Sequence, residues 1–110
     1  MDGFVKGDVV VVSFPFSDLS SSKRRPALVL ARASDRDYIL AQITGRGFSD
    51  SRAVKIAAED FTEGGLRADS NARPNKLFTA DADIIAYKAG ALKPEKTNEV
   101  VSAIVRMLSE

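Results

Sequence analysis

Apolar residues fall into short β-type runs up to residue 93 and into a helical stripe after it. Residues 9–12 are four consecutive valines with Phe14 just beyond; Asp8 precedes the run and Pro15 limits it, so it reads as a buried strand. Residues 17–22 form a Ser/Asp loop. Residues 27–31 are apolar throughout and read as a central strand, with Pro26 expected at its start because a proline inside a sheet removes a ladder hydrogen bond. After a turn at 34–37, residues 38–44 alternate. Tyr38, Leu40, Gln42 and Thr44 share one face, and Ile39, Ala41 and Ile43 the other.

Residues 45–51 are a glycine-rich loop and 53–56 a short strand. Residues 58–63 are expected as one helical turn stopped by Gly64-Gly65. Residues 70–80 read as extended, interrupted by Pro74, 81–85 as another helical turn and 86–92 as a last strand. From Pro94 the period changes, and Thr97, Val101, Ile104, Val105 and Leu108 follow helical spacing on one face. Pro94 suits the first helical position and Glu95 the positive end of the helix dipole. Short strands plus one terminal helix give a mainly-β (α+β) class: a small, strongly bent sheet or barrel carrying a helix.

The length of 110 residues accommodates one small domain, 1–110, and a hydrophobic fraction of 45% suits a packed core. The chain has no cysteine and no histidine. That argues against a zinc site and excludes a Ser-His-Asp triad or a histidine proton relay. No cofactor is called for. No run approaches the roughly 20 apolar residues of a membrane span, and MDGFVKGD lacks a secretory pattern, so the expected location is the cytoplasm. Net charge is +1, yet residues 21–58 carry Lys23, Arg24, Arg25, Arg32, Arg36, Arg46, Arg52 and Lys55 against Asp35, Asp37 and Asp50. A local basic face on a near-neutral chain fits a short RNA target better than a long duplex.

Lys23-Arg24-Arg25-Pro26 is the first candidate for chemistry. A pre-proline residue is confined to extended backbone, so Arg25 is the positioned cation, with Lys23 and Arg24 as looser partners. The same run also reads as a solvated charge cluster guarding a strand edge. Thr44 ends its strand beside a glycine loop, where a hydroxyl can reach a phosphate oxygen near Arg25; it also reads as an ordinary strand threonine. Phe16 is either core or a stacking platform for a base. Ser70, Arg73 and Asn75 lie in one extended segment, where alternation puts Arg73 and Asn75 on one face to read a base edge; a polar edge strand is the other reading.

Taken together these segments resemble the MazF/PemK family of toxin–antitoxin ribonucleases. GDVVVVSFPFSDLSSSKRRPALVL is similar to that family's Gly-Asp, β-branched strand, loop, Arg-Pro and apolar strand. AQIT at 41–44, GGLRADSNARPNKLFTAD at 64–81, GAL at 90–92 and the closing helix follow in the family's order. The resemblance implies a compact SH3-like barrel, a homodimer, and metal-independent cleavage of single-stranded RNA with Arg25 and Thr44 as the main catalytic residues. The ribose 2′-OH would attack the adjacent phosphorus, leaving a 2′,3′-cyclic phosphate and a 5′-OH. Asp18 is a candidate helper, and Phe16, Lys23, Arg24, Gln42, Ser70, Arg73 and Asn75 are candidate RNA contacts. Some members of the family use an Arg-x-Asp pair; here that pair is Arg73 and Asn75, so the carboxylate is missing.

The implied partner is a MazE/PemI-like antitoxin whose acidic flexible segment fills the basic groove. The alternative is a non-catalytic barrel of the same fold, binding RNA or a partner. A CcdB-like gyrase inhibitor is one version of it, disfavoured because that relative works through a C-terminal tryptophan and this chain has no tryptophan.

Overall fold

The computed structural model describes residues 3–15, 22–45 and 50–110. Seven strands form one sheet: β1 (Asp8–Pro15), β2 (Ser22–Arg32), β3 (Asp37–Gly45), β4 (Val54–Ile56), β5 (Phe61–Gly64), β6 (Ser70–Asp81) and β7 (Ile85–Leu92). The helix α1 (Pro94–Leu108) closes the chain. The strand order is β4-β6-β3-β2-β1-β7-β5, with antiparallel pairing throughout. Register shifts interrupt the β1–β7, β2–β3, β3–β6 and β5–β7 ladders. Such bulges bend strands and increase twist, and the sheet curls into a half-barrel with one helix, the class expected from the sequence.

The curl gives the sheet two buried faces, which explains why 9–12 is continuously apolar instead of alternating. Val9 points into one core with Leu28, Ile43, Ile56 and Ala72, closed by Val100 and Ile104 of α1. Val10 and Val12 point into the other with Ala27, Val29, Tyr38, Leu40, Ala80 and Ile85. Among the described residues, no helix is long and apolar enough to cross a membrane.

Three local expectations are corrected. Pro26 does not start β2; it lies inside the strand opposite Val11. The sheet tolerates it because the ladder to β3 begins one residue later, at Ala27↔Gln42. Lys23 to Arg25 are therefore strand residues, not the end of a loop. Residues 58–63 are not one helical turn. A 3-10 turn at Ala58–Asp60 gives way at Phe61 to β5, whose Phe61, Glu63 and Gly64 pair with β7. The helix turns Thr97, Val100 and Ile104 inward, while Val105 and Leu108 are exposed. An i, i+3, i+7 line suffices to cover the sheet, so the other edge of the apolar stripe stays outside.

Gly90 shows how tightly the β5 edge is laid on. A Cβ there would stand 2.6 Å from the Glu63 carbonyl oxygen and 2.8 Å from the Gly65 nitrogen. Both are backbone atoms and neither can swing aside. Gly90→Ala is expected to lower stability by about 1–3 kcal/mol through overpacking, read as a lower urea midpoint at unchanged slope. An unchanged midpoint would show that β5 moves freely.

Candidate functional site

On one face of the sheet, adjacent strands switch from apolar to polar at the same end. Along β2 the face runs from Val29 and Ala27, both buried, to Arg25 and Lys23. Along β3 it runs from Tyr38 and Leu40, both buried, to Gln42 and Thr44, half-buried. Antiparallel pairing brings these polar ends together. Ala27 faces Gln42 as the last pair of the β2–β3 ladder, and Arg25 and Thr44 each lie two residues beyond it on their own strands. Arg25 is half-buried and also faces Val12 of β1.

β6 adds the next polar row. Ile43 pairs with Ala72 and Thr44 with Asn71. Ala72 and Pro74 are buried, so alternation puts Asn71, Arg73 and Asn75 on the side of Gln42 and Thr44. Beyond β6, Lys55 pairs with Asn71 between buried Val54 and Ile56, and it is exposed on this same side. Lys23, Arg25, Lys55 and Arg73 thus give the face a positive charge, with Thr44 and three amides between them.

Arg73 is the best-fixed of the cations. Its Nη1 donates to Gln42 Oε1 at 3.4 Å, and its Nη2 lies 3.5 Å from Asp50 Oδ2. The Arg73 and Asp50 side chains are only 17% and 11% exposed. Asp50 Oδ1 accepts the Arg52 backbone N–H at 2.9 Å. That bond first, then the Asn75 amide and the Arg73 charge, hold the Asp50 carboxyl below its ordinary range, against the opposing effect of burial. Asp50 is therefore an ionised partner of Arg73.

Of the sequence candidates, Arg25, Thr44, Gln42, Arg73, Asn75 and Lys23 meet on this face. Arg24 alternates to the other side of β2 and is exposed. Ser70 does not join the group. It is buried on the opposite side of β6, and its hydroxyl donates to the Ala68 carbonyl at 3.0 Å. Phe16 and Asp18 lie outside the described residues. The local basic excess divides by role. Arg36 pairs with Asp81 and Asp83, and Arg52 with Glu110, whereas Lys23, Arg24 and Arg25 make no ion pair with a described residue.

Two participants escaped the sequence reading. Asn71 follows the alternation that marked Arg73 and Asn75, and that signal reaches it. Asp50 lies in the glycine-rich stretch 45–51, and no spacing in the chain connects it to β6. Among the described residues, no group of three or more His, Cys, Asp or Glu could hold a metal ion. A half-buried guanidinium beside a hydroxyl is suited to a tetrahedral oxyanion, which it can bind with two parallel N–H donors.

A protein-family model described as "PemK-like, MazF-like toxin of type II toxin-antitoxin system" matches residues 5–108. The chain is similar to MazF in a MazE–MazF crystal structure from Deinococcus radiodurans, with TM-score 0.77, 18% identity and coverage of 96% of each chain. A mycobacterial endoribonuclease in complex with its cognate antitoxin superposes with TM-score 0.74 at 14% identity, covering 97% of this chain and 96% of that one. The Mycobacterium tuberculosis toxin MazF-mt6 gives TM-score 0.67 at 17% identity, with 91% and 96% covered. No curated protein matches the chain. At these identities the structural likeness concerns the fold, and the family match covers nearly the whole chain.

Proposed function

Because the chain belongs to the PemK-like, MazF-like toxin family of type II toxin–antitoxin systems, we propose that it is a cytoplasmic endoribonuclease that cleaves single-stranded mRNA at short specific sequences without a metal. The observation that supports this reading is the polar end of β2 and β3, where Arg25 and Thr44 each lie two residues beyond the Ala27–Gln42 pair, on the face that also carries Arg73. The nucleophile belongs to the substrate. The ribose 2′-oxygen bonds to phosphorus, the P–O5′ bond breaks, the 2′ proton leaves, and the 5′ oxygen takes one up. The products are a 2′,3′-cyclic phosphate and a 5′-OH.

The protein's work in this scheme is positioning and charge stabilisation. Arg25 donates to the non-bridging oxygens as negative charge builds on the phosphorane, and the Thr44 hydroxyl adds a further donor. Thr44→Val keeps the β-branched shape and removes the hydroxyl. It is expected to slow single-turnover cleavage about tenfold or more, the value of one hydrogen bond to a charged group, with RNA affinity nearly unchanged. A rate equal to wild type would remove Thr44 from the mechanism.

The partner is an antitoxin whose acidic flexible segment covers the basic face, and the active form is a homodimer. The test of the function is incubation of purified protein with single-stranded RNA in excess chelator, with the new ends identified. Cyclic phosphate and 5′-OH ends that disappear when antitoxin is added support the proposal. RNA that is bound but left intact at high protein concentration would select the non-catalytic barrel instead.

A further inference from the structure

One cross-strand row on the polar face runs out to the edge of the sheet. Thr44 of β3 pairs with Asn71 of β6, and Asn71 pairs in turn with Lys55 of β4. β4 is the last strand on this side, so Lys55 closes the row. Directly paired residues point to the same side of a sheet, and the flanking rows fix which side that is. Ile43, Ala72 and Val54 form one of them and are buried in the core that α1 closes. Gly45, Ser70 and Ile56 form the other, where Ser70 and Ile56 are buried as well. Thr44, Asn71 and Lys55 therefore share the opposite face.

Adjacent strands lie about 4.8 Å apart, so Lys55 stands about 10 Å from Thr44 on a line at right angles to the strands. Asn71 between them is neutral and half-buried, whereas Lys55 is exposed and makes no ion pair with a described residue. Buried Val54 and Ile56 on either side pin its backbone to the sheet. With Asn71 in between, Lys55 lies beyond the phosphate that Arg25 and Thr44 would hold. An ammonium on a rotatable stem binds a phosphate as a point charge and does not demand the two-pronged geometry of a guanidinium. Such contacts set the register of a nucleic acid without reading its sequence.

From this row we infer that Lys55 binds a phosphate flanking the scissile one, and that the RNA crosses β3, β6 and β4 at right angles to the strands instead of running along one of them. The inference rests on reading this face as an RNA surface, but not on cleavage. A lysine on an edge strand can also serve only to ward off pairing with another chain. That role needs an exposed charge on β4 and predicts no change in RNA affinity when the charge is removed.

The test measures binding of a mixed-sequence pool of 2′-O-methyl octanucleotides, which 2′-OH attack cannot cleave, over a series of salt concentrations. Each phosphate neutralised on a single strand contributes about 0.7 to the slope of log affinity against log salt. Lys55→Ala is expected to make that slope shallower by about 0.7 and to weaken binding several-fold at low salt. Lys55→Arg keeps the charge and should stay close to wild type. Lys76→Ala is the contrast, because Lys76 is exposed further along β6 and its loss removes the same charge. A strand crossing at Asn71 does not pass Lys76, so its slope should match wild type. An unchanged slope in Lys55→Ala, or a drop in Lys76→Ala as large as that in Lys55→Ala, overturns the inference and leaves the proposed function standing. No binding by wild type removes the RNA face, and the inference with it. The expected slopes with ordinary RNA left intact support the role of Lys55 and reject only cleavage.

Discussion

Replacing Arg25 by alanine is expected to slow RNA cleavage by about a hundredfold to a thousandfold, the usual loss when one pre-organised donor to a developing oxyanion is removed. The size of the effect follows from where the side chain is held. Pro26 confines the Arg25 backbone to an extended conformation, and Val12 of β1 lies directly opposite it. The side chain starts from a paired strand, so its backbone needs no ordering during the reaction. The fold should tolerate the change, because Arg25 makes no ion pair with a described residue. RNA affinity should fall much less than rate, since Lys23, Lys55 and Arg73 remain on the face. Arg25→Lys is expected to recover little, because an ammonium keeps the charge and loses the two-pronged geometry. Single-turnover rates with a thermal melt for each variant separate these outcomes. A folded alanine variant cleaving at the wild-type rate would falsify the assignment.

That Arg25 and Thr44 lie at the same polar end of the sheet was legible in part. The alternation from Tyr38 to Thr44 shows that Thr44 shares a face with buried positions, and the pre-proline rule picks Arg25 from three cations. What neither pattern contains is the register between β2 and β3, which decides whether the two side chains meet. The resemblance implied that pairing, and the β2–β3 ladder ends two residues short of both side chains, at Ala27 and Gln42. The same holds for the Gly-Asp at the start of β1. Gly7 adopts φ 99°, and Asp8 is buried, accepting the Val5 N–H at 3.0 Å and pairing with Lys88 at 3.3 Å.

Where local pattern misled, a tertiary choice had intervened. Pro26 sits inside β2 because β3 stops pairing just short of it. Ser70 is turned inward by the alternation that turns Arg73 outward. The stripe on α1 was wider than the sheet beneath it, so Val105 and Leu108 face away. Asp50 is the clearest case, because a contact between the end of a loop and the middle of β6 leaves no periodic trace in either segment.

Asp50 is also where the second large effect is expected. Asn75 stands two residues after Arg73, and the carboxylate that accompanies Arg73 comes from Asp50. With one oxygen on the Arg52 N–H and the other near the Arg73 guanidinium, Asp50 is expected to act through Arg73, as a positioning residue in the proposed reaction. Asp50→Asn and Arg73→Ala should each slow cleavage by about a hundredfold, the scale of a misplacement of about 1 Å at a reacting centre. The double variant should be no slower than the worse single one, because both changes remove one arrangement.

The split between binding and rate separates this role from simple loss of structure. Asp50→Asn removes a negative charge from the face proposed to bind RNA, so KM should stay level or fall while kcat drops. The direction of the pKa shift adds an acid signature. Asp50 titrates below its ordinary value of 3.8, so its stabilising contribution is complete above that value and is lost as pH falls through the lower, folded-state value. Wild type should therefore lose stability in that acid range by more than Asp50→Asn does. Between about pH 5 and 8 Asp50 stays ionised in folded and unfolded chains alike, so an inflection in the rate profile there belongs to another group.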